Sequence, residues 1–522
     1  MSQSLSNPAS SSQSLAAVLG RARAKGVRLW AEDGQLRYQG PRGALDAHDI
    51  AQLREFRPQI VSLLERSNTS SSELSGLEPR PGLSRAPLTF SQWAHWNLWH
   101  LGERRVLRGV TSVTRLLGRL DLDALRRSVS EIYRRHGALR TQIVVSDGVP
   151  VQEIAAARDY VLELETLTRG SGRETELTRW IDKLLLAEID VAFEPLFQVR
   201  LIRVRDEEHV LLIAMEHMIS DGYSLNLIVG ELFTAYTDIV SGRPLSLPHT
   251  PLQFAEYAVW QQETFAGWIE KRGPSWSRHF ASAERLRFPQ DCDLSTPLHT
   301  GWQGVIVHIP RELKAELSEW CRLNRTTLVM SLFAAYAALV LRWCNAQEAI
   351  FQYQSDARVS PRTEHTVGYL SSALYLKIRL IEGQHFLDLI DQCTQEYCRA
   401  HEQADFSFIA SQTPRPEFTR SSLFNWVPRG SPPGFPGLAG SARALTCLPV
   451  AYSEPILQRV ELDYEPAILL HDSDDGISAG VHFPASRFEA PRMQKFARNF
   501  LVFVRALLGP PEVQVNDIQL VE

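Results

Sequence analysis

The forty residues FQVRLIRVRDEEHVLLIAMEHMISDGYSLNLIVGELFTAY, from Phe197 to Tyr236, limit the fold more than any other part of the chain. Phe197 to Arg205 and Val210 to Glu216 read as two strands turning around Asp206, Glu207 and Glu208. From Leu225 the apolar period changes: Leu225, Ile228, Val229, Leu232, Phe233 and Tyr236 follow helical spacing. His217 to Ser224 therefore links a buried strand to a helix N-terminus, where Asp221 or Ser224 can cap.

That link has the ingredients of acyl-transfer chemistry. Backbone N–H groups at a helix start are unpaired and favour developing negative charge. Gly222 presents backbone without a Cβ, and Asp221 can fix the loop or the imidazole. His217 has an ordinary pKa of about 6.5 and can take a proton near neutrality. Taken by itself, a lone histidine at a strand end is more often structural than catalytic.

The 522 residues predict two to four domains. A hydrophobic share of 44% and a charged share of 22% exclude wholesale disorder, and a net charge of -5 argues against a nucleic-acid partner. The six cysteines (292, 321, 344, 393, 398 and 447) form no CxxC pair and read as reduced thiols. The longest apolar run, Leu332 to Leu341, is roughly half of the ~20 residues a membrane span needs. With no signal-peptide pattern at the start, a cytoplasmic protein without membrane contact is expected. A metal is not expected, because His217 and Asp221 lack a nearby third ligand. His95, His100, Trp93, Trp96 and Trp99 read as a packing face. No GxSxG elbow, no GxGxxG after a strand and no Walker loop is present, nor a carrier-protein serine motif. Substrates are expected to arrive on other polypeptides, with no cofactor bound.

The front of the chain differs in character. Residues 1–12 read as a disordered tail and 66–87 as a Ser/Pro/Gly-rich linker. Between them a helix is followed by a hairpin turning at Asp33-Gly34, and Asp46 can cap a further helix, with Pro58 restarting another. Residues 1–66 hold nine basic and six acidic side chains, a net +3 against -8 for the other 456. Such a module can take an acidic extended peptide as an added strand, or simply be a solvated basic surface. Its order and its sequence, GVRLWAEDGQLRYQGPRGALDAHDIAQLREFRPQIVSLL, resemble the N-terminal β-hairpin docking domains of multienzyme synthetases. The resemblance implies a docking domain over 13–65 that binds the acidic C-terminal tail of an upstream acyl or peptidyl carrier protein. Arg28, Trp30, Arg37 and Tyr38 lie on the matching hairpin.

The rest of the chain carries an ordered set of motifs. EHMISDGYS resembles the HHxxxDG signature of nonribosomal peptide synthetase condensation domains. LTFSQWAHW (88–96), RRHGALRT (134–141), PLQFAEYAVW (251–260), VGYLSSALYLKI (367–378), HEQADFSF (401–408) and SSLFNWVP (421–428) are similar to its other motifs, in order. The resemblance implies an α/β fold of two chloramphenicol-acetyltransferase-like lobes forming a V around a tunnel, preceded by the small α+β docking domain. The lobes are expected at 88–265 and 266–522, with Gly267, Gly273 and Pro274 interrupting the pattern between them. Carrier proteins would bring thioesters on phosphopantetheine arms. His217 would deprotonate or position the attacking amine or hydroxyl, Asp221 would hold the structure, and Gly222 would supply backbone. Ser372 and Glu216 would shape the site.

Three segments depart from the pattern. Glu216 replaces the first histidine and reads as a structural swap, since strand neighbours point to opposite faces. Ser372 and Ala373 stand where the family has Asn-Thr, near the reacting centre. FPQDCDLS (288–295) puts Cys292 where an arginine partner of the aspartate is expected, so Asp221 needs Arg140 or Arg358 instead. The expectation is a stand-alone condensation enzyme forming an amide or ester from a carrier-bound or free acceptor, suited to chain release. The alternative is an inactive condensation-like platform that binds carrier proteins or recruits tailoring enzymes.

Overall fold

The computed structural model describes residues 28–32, 35–39, 45, 50, 53, 54, 57, 77–100, 109–167, 172–185, 189–250, 252–283, 286–291, 302–356, 358, 360, 362–401, 421–427, 445–449, 465–510 and 513–521. The expected tail at 1–12, the first half of the 66–87 linker, the cap at Asp46, Cys292, residues 402–408 and the side chains of Arg28 and Trp30 lie outside these.

The expected hairpin is present. Strands β1 (Arg28–Glu32) and β2 (Gln35–Gln39) pair antiparallel, with Trp30 opposite Arg37 and Leu29 opposite Tyr38. Glu32 pairs with Gln35, so the strands are joined by the two-residue connection that Asp33-Gly34 suits.

The first half of the main body runs β3 (Arg85–Pro87), α1 (Phe90–His100), β4 (Val110–Leu117), α2 (Leu122–Arg135), β5 (Thr141–Ser146), β6 (Val149–Ile154), β7 (Glu163–Thr166), α3 (Arg173–Leu185), β8 (Phe197–Arg205), β9 (Glu208–Met215), α4 (Gly222–Val240) and α5 (Phe254–His279). Strand β9 is buried at every position. Its alternate residues serve two cores: Leu211, Ile213 and Met215 pack beneath α2 and α4, and Val210, Leu212 and Ala214 pack with Leu177 and Ile181 of α3. A strand covered on both faces explains why its sequence is a continuous apolar run and does not alternate.

The second half runs β10 (Trp302–Pro310), α6 (Arg311–Leu323), α7 (Leu328–Trp343), β11 (Glu348–Asp356), β12 (Ser371–Arg379), α8 (Phe386–His401), β13 (Ser422–Val427), β14 (Thr446–Pro449), β15 (Glu465–Ser473), β16 (Gly476–Pro484) and α9 (Ala490–Ala506). Its sheet has the order β10-β16-β15-β13-β11-β12. The apolar run noted in the sequence is α7, capped by Thr327 at its start and buried along its length. An all-round apolar helix belongs in a core. Among the described residues no single helix is long and apolar enough to cross a membrane. Gly476 opens β16 at φ +129, and a Cβ there would strike the Ile309 carbonyl, so only glycine fits this tight turn.

Two features tie the halves together. Strand β14, from the C-terminal part of the chain, pairs antiparallel with β4 and completes the first sheet, in the order β14-β4-β9-β8-β7. Helix α5 also runs unbroken through Gly267, Gly273 and Pro274, against the expectation that these residues interrupt it. Packing overrides propensity here: Tyr257 and Trp260 anchor its start in the first core, and Trp276, with the following Phe280, packs on Ile350 of β11.

Candidate functional site

The turn between β9 and α4 is built from its own side chains. Glu216 is fully buried and has extended backbone, and its carboxylate accepts the Met218 N–H, capping a single 3₁₀ turn over His217–Ile219. Ser220 Oγ donates back to the Glu216 carbonyl at 2.9 Å. Asp221 then caps α4 by accepting the Ser224 N–H at 2.8 Å. Of the two candidate caps, Asp221 and Ser224, the structure selects Asp221.

His217 is half-buried at the centre of this turn. Its Nδ1 lies 3.2 Å from the Ser220 carbonyl oxygen. A carbonyl only accepts, so Nδ1 carries the proton in the neutral ring and Nε2 keeps its lone pair. The ring is 5.4 Å from that of Tyr369 and 6.2 Å from that of His95, centroid to centroid. Gly109, just before β4, forms a shelf for the ring: a methyl at that position would overlap the His217 Cδ2.

Asp221 is the hub of the site. Arg358, from the second half, donates Nη1 to Oδ2 at 2.9 Å and Nη2 to Oδ1 at 3.0 Å. The Leu370 and Ser371 N–H groups donate to Oδ2 at 3.0 and 2.9 Å, and Ser224 Oγ donates to Oδ1 at 2.7 Å. Burial alone would push the Asp221 carboxyl up, but the Arg358 guanidinium and the Ser224 hydrogen bonds outweigh it and hold the group below its ordinary value. Of the two arginines considered for this role, Arg140 is engaged elsewhere, donating to the carbonyls of Tyr133, Arg134 and Ala155.

The remaining expected residues are placed as follows. Gly222 is exposed, with open space where a Cβ would stand. Neighbouring Tyr223 lies under the Arg358 guanidinium, 4.5 Å from ring centroid to Cζ. Ser372 sits one residue beyond the Asp221-bound Ser371, paired with Ser355 across β11–β12. On the hairpin, Arg37 and Tyr38 are exposed. Among the described residues no group of three or more His, Cys, Asp or Glu side chains is arranged to hold a metal ion.

Sequence reasoning missed three members. His95, read as packing, puts its Nε2 2.9 Å from Glu216 Oε1. Tyr369, inside VGYLSSALYLKI (367–378), supplies an aromatic wall. Gly109 carries no local signal at all. A buried carboxylate at position 216 was itself the signal for His95, because such a group requires a donor.

A two-half α/β body with a histidine turn clasped at the seam defines the condensation-domain class. Residues 84–522 match the Condensation domain family, and residues 16–66 match the TubC N-terminal docking domain. The chain belongs to the condensation-domain family and carries a docking domain of the TubC type at its front. It is 26% identical over 442 residues to the enniatin synthase of Fusarium equiseti, covering 83% of this chain but 14% of that relative. The chain therefore spans a small part of the relatives it matches. The X-domain from teicoplanin biosynthesis aligns with a TM-score of 0.72 at 21% identity, covering 85% of this chain and 100% of that one. The domain described for condensation-mediated chain release from the enacyloxin polyketide synthase aligns at 0.66 and 19%, covering 95% and 96%. These likenesses bear out the expected chloramphenicol-acetyltransferase-like architecture.

Proposed function

We propose that this chain is a condensation enzyme that transfers a carrier-borne acyl chain to an amine or hydroxyl acceptor. The observation that carries this reading is the His217 Nδ1 contact with the Ser220 carbonyl, which presents Nε2 as a fixed base. In this mechanism Nε2 takes the proton as the acceptor attacks the thioester carbonyl, and returns it to the departing phosphopantetheine thiolate. The C–S bond breaks and an amide or ester forms. Asp221 positions the turn, the open backbone at Gly222 faces substrate, and Glu216 and Ser372 shape the surroundings. The chain needs no resident cofactor, because both reacting groups arrive on partner carriers or, for the acceptor, as a free small molecule.

The docking domain brings the donor. Its hairpin would take the acidic tail of an upstream carrier protein, using Arg28, Trp30, Arg37 and Tyr38. The likeness to the enacyloxin domain over 95% of this chain supports a releasing step.

The test is intact-protein mass spectrometry of an acyl-loaded carrier with amine and hydroxyl acceptors. His217→Ala should slow transfer by about 10²- to 10⁴-fold, the range for loss of a general base. Deleting residues 1–65 should weaken transfer at low carrier concentration. Carrier binding without transfer to any acceptor would overturn this reading in favour of a recruitment platform.

A further inference from the structure

Glu216 stands at the end of β9 with no exposed surface, in a position where an ionised carboxylate is costly unless it is fully paired. Two donors meet it. One is the Met218 N–H within the turn; the other is His95 Nε2, from helix α1, which is 121 residues earlier. Burial opposes the charge on Glu216, but His95 and the Met218 N–H outweigh it and hold the carboxyl below its ordinary value. His95 is itself nearly enclosed, its side chain 10% exposed.

Helix α1 grips the turn a second time. Gln92 lies three residues before His95, on the same helical face. Its Nε2 donates to the Met218 carbonyl at 2.7 Å. His217 is thus bracketed by residues 216 and 218, both bound to α1. The His95 ring also lies 6.2 Å from the His217 ring and 6.3 Å from Tyr369, in the wall of the same site.

We propose that His95 is a positioning residue for His217 and acts through Glu216: the imidazole and carboxylate form one buried strut between α1 and the turn. The strut places a histidine on the facing helix, bound to the carboxylate that stands where the motif has its first histidine. The kinetic part of this inference rests on the base role of His217; the structural part does not.

The strut predicts a specific order among variants of the full chain. His95→Gln keeps an N–H donor at nearly the same reach, whereas His95→Leu leaves Glu216 unpaired. Misplacement of the base should make His95→Leu lose about 10- to 100-fold in kcat with KM nearly unchanged, and His95→Gln should recover most of it. The double variant His95→Leu/Glu216→His should transfer faster than either single variant. Equal losses in His95→Gln and His95→Leu, an effect on KM alone, or strictly additive losses in the double variant would overturn the proposal. Nitrogen-15 NMR of histidine-labelled protein decides the structural part even if the wild type transfers nothing. Wild type should show a downfield His95 Nε2–H signal, and Glu216→Gln should shift both it and the His217 ring nitrogens while the rest of the spectrum stays folded. His217 signals that do not move would overturn it.

Discussion

Arg358 and Asp221, 137 residues apart in sequence, form a two-point ion pair at 2.9 and 3.0 Å across the seam between the halves. Both side chains are almost fully buried, at 2% and 3% exposure. The same guanidinium donates to the Thr366 carbonyl and stacks on Tyr223. The turn that carries His217 is therefore held from the second half of the chain as well as from the first.

Arg358→Met strands a buried carboxylate, and this change is expected to cost about 3–5 kcal/mol. Asp221→Asn leaves the arginine its other ion pair, with the Asp356 carboxylate at 2.7 Å, and should cost less. The double variant Asp221→Asn/Arg358→Met should cost clearly less than the sum, because each single change already breaks the pair. Urea unfolding of the four proteins measures the coupling, and additive costs would show that the pair is not a unit.

Gly109→Ala inserts a methyl into the space occupied by the His217 ring. Transfer should fall by about 10-fold or more, since displacing a base by about 1 Å is felt strongly in the rate. In a His217→Ala background the same substitution should change little. Steady-state rates on both backgrounds check this, and an equal effect on each would mean that Gly109 acts elsewhere.

His482 supplies the pH dependence. Burial lowers its folded pKa to about 4, with repulsion from His471 adding to the effect. The unfolded value is about 6.5. The unfolded chain therefore binds the proton first, so stability is full above pH 6.5 and falls as pH drops towards 4. The loss should total about 3 kcal/mol for this one group. Denaturation midpoints for wild type and His482→Gln across that window provide the check: the variant should be flatter, and parallel curves would contradict the assignment.

Arg37→Glu tests the hairpin. An exposed charge contributes little alone, so reversing it should weaken binding of an acidic carrier-tail peptide by about 3- to 10-fold. Added salt should narrow the difference. Titration of the peptide at two ionic strengths measures it, and unchanged affinity would place the contact on another face.

The sequence made local features legible and left long-range partners open. Strands β8 and β9 fall within about two residues of their expected bounds, and the six periodic residues of α4 are all buried, because hydrophobic period is a local property. The partner of Asp221 was not legible in the same way. Arg140 and Arg358 offer identical chemistry, and only the tertiary fold sends one to the carboxylate and the other to nearby carbonyls. His95 was hidden by its setting beside Trp93 and Trp96 on one helix, where a packing role is the natural reading. The interruption expected at Gly267, Gly273 and Pro274 failed for a similar reason: aromatic anchors at both ends of α5 outweigh the weak residues between them.

Strand β14 has a consequence for how such proteins can be recombined. The chain crosses to the first half, contributes one edge strand and crosses back. A chimaera joined near the middle of the chain, with its two parts drawn from different relatives, would give the first sheet a foreign edge at residues 446–449 and Asp221 a foreign clasp at 358–371. The cleaner seam is not a point in sequence: those two C-terminal segments should travel with the donor of the histidine turn, so acceptor preference is best exchanged as a patchwork and not as a half.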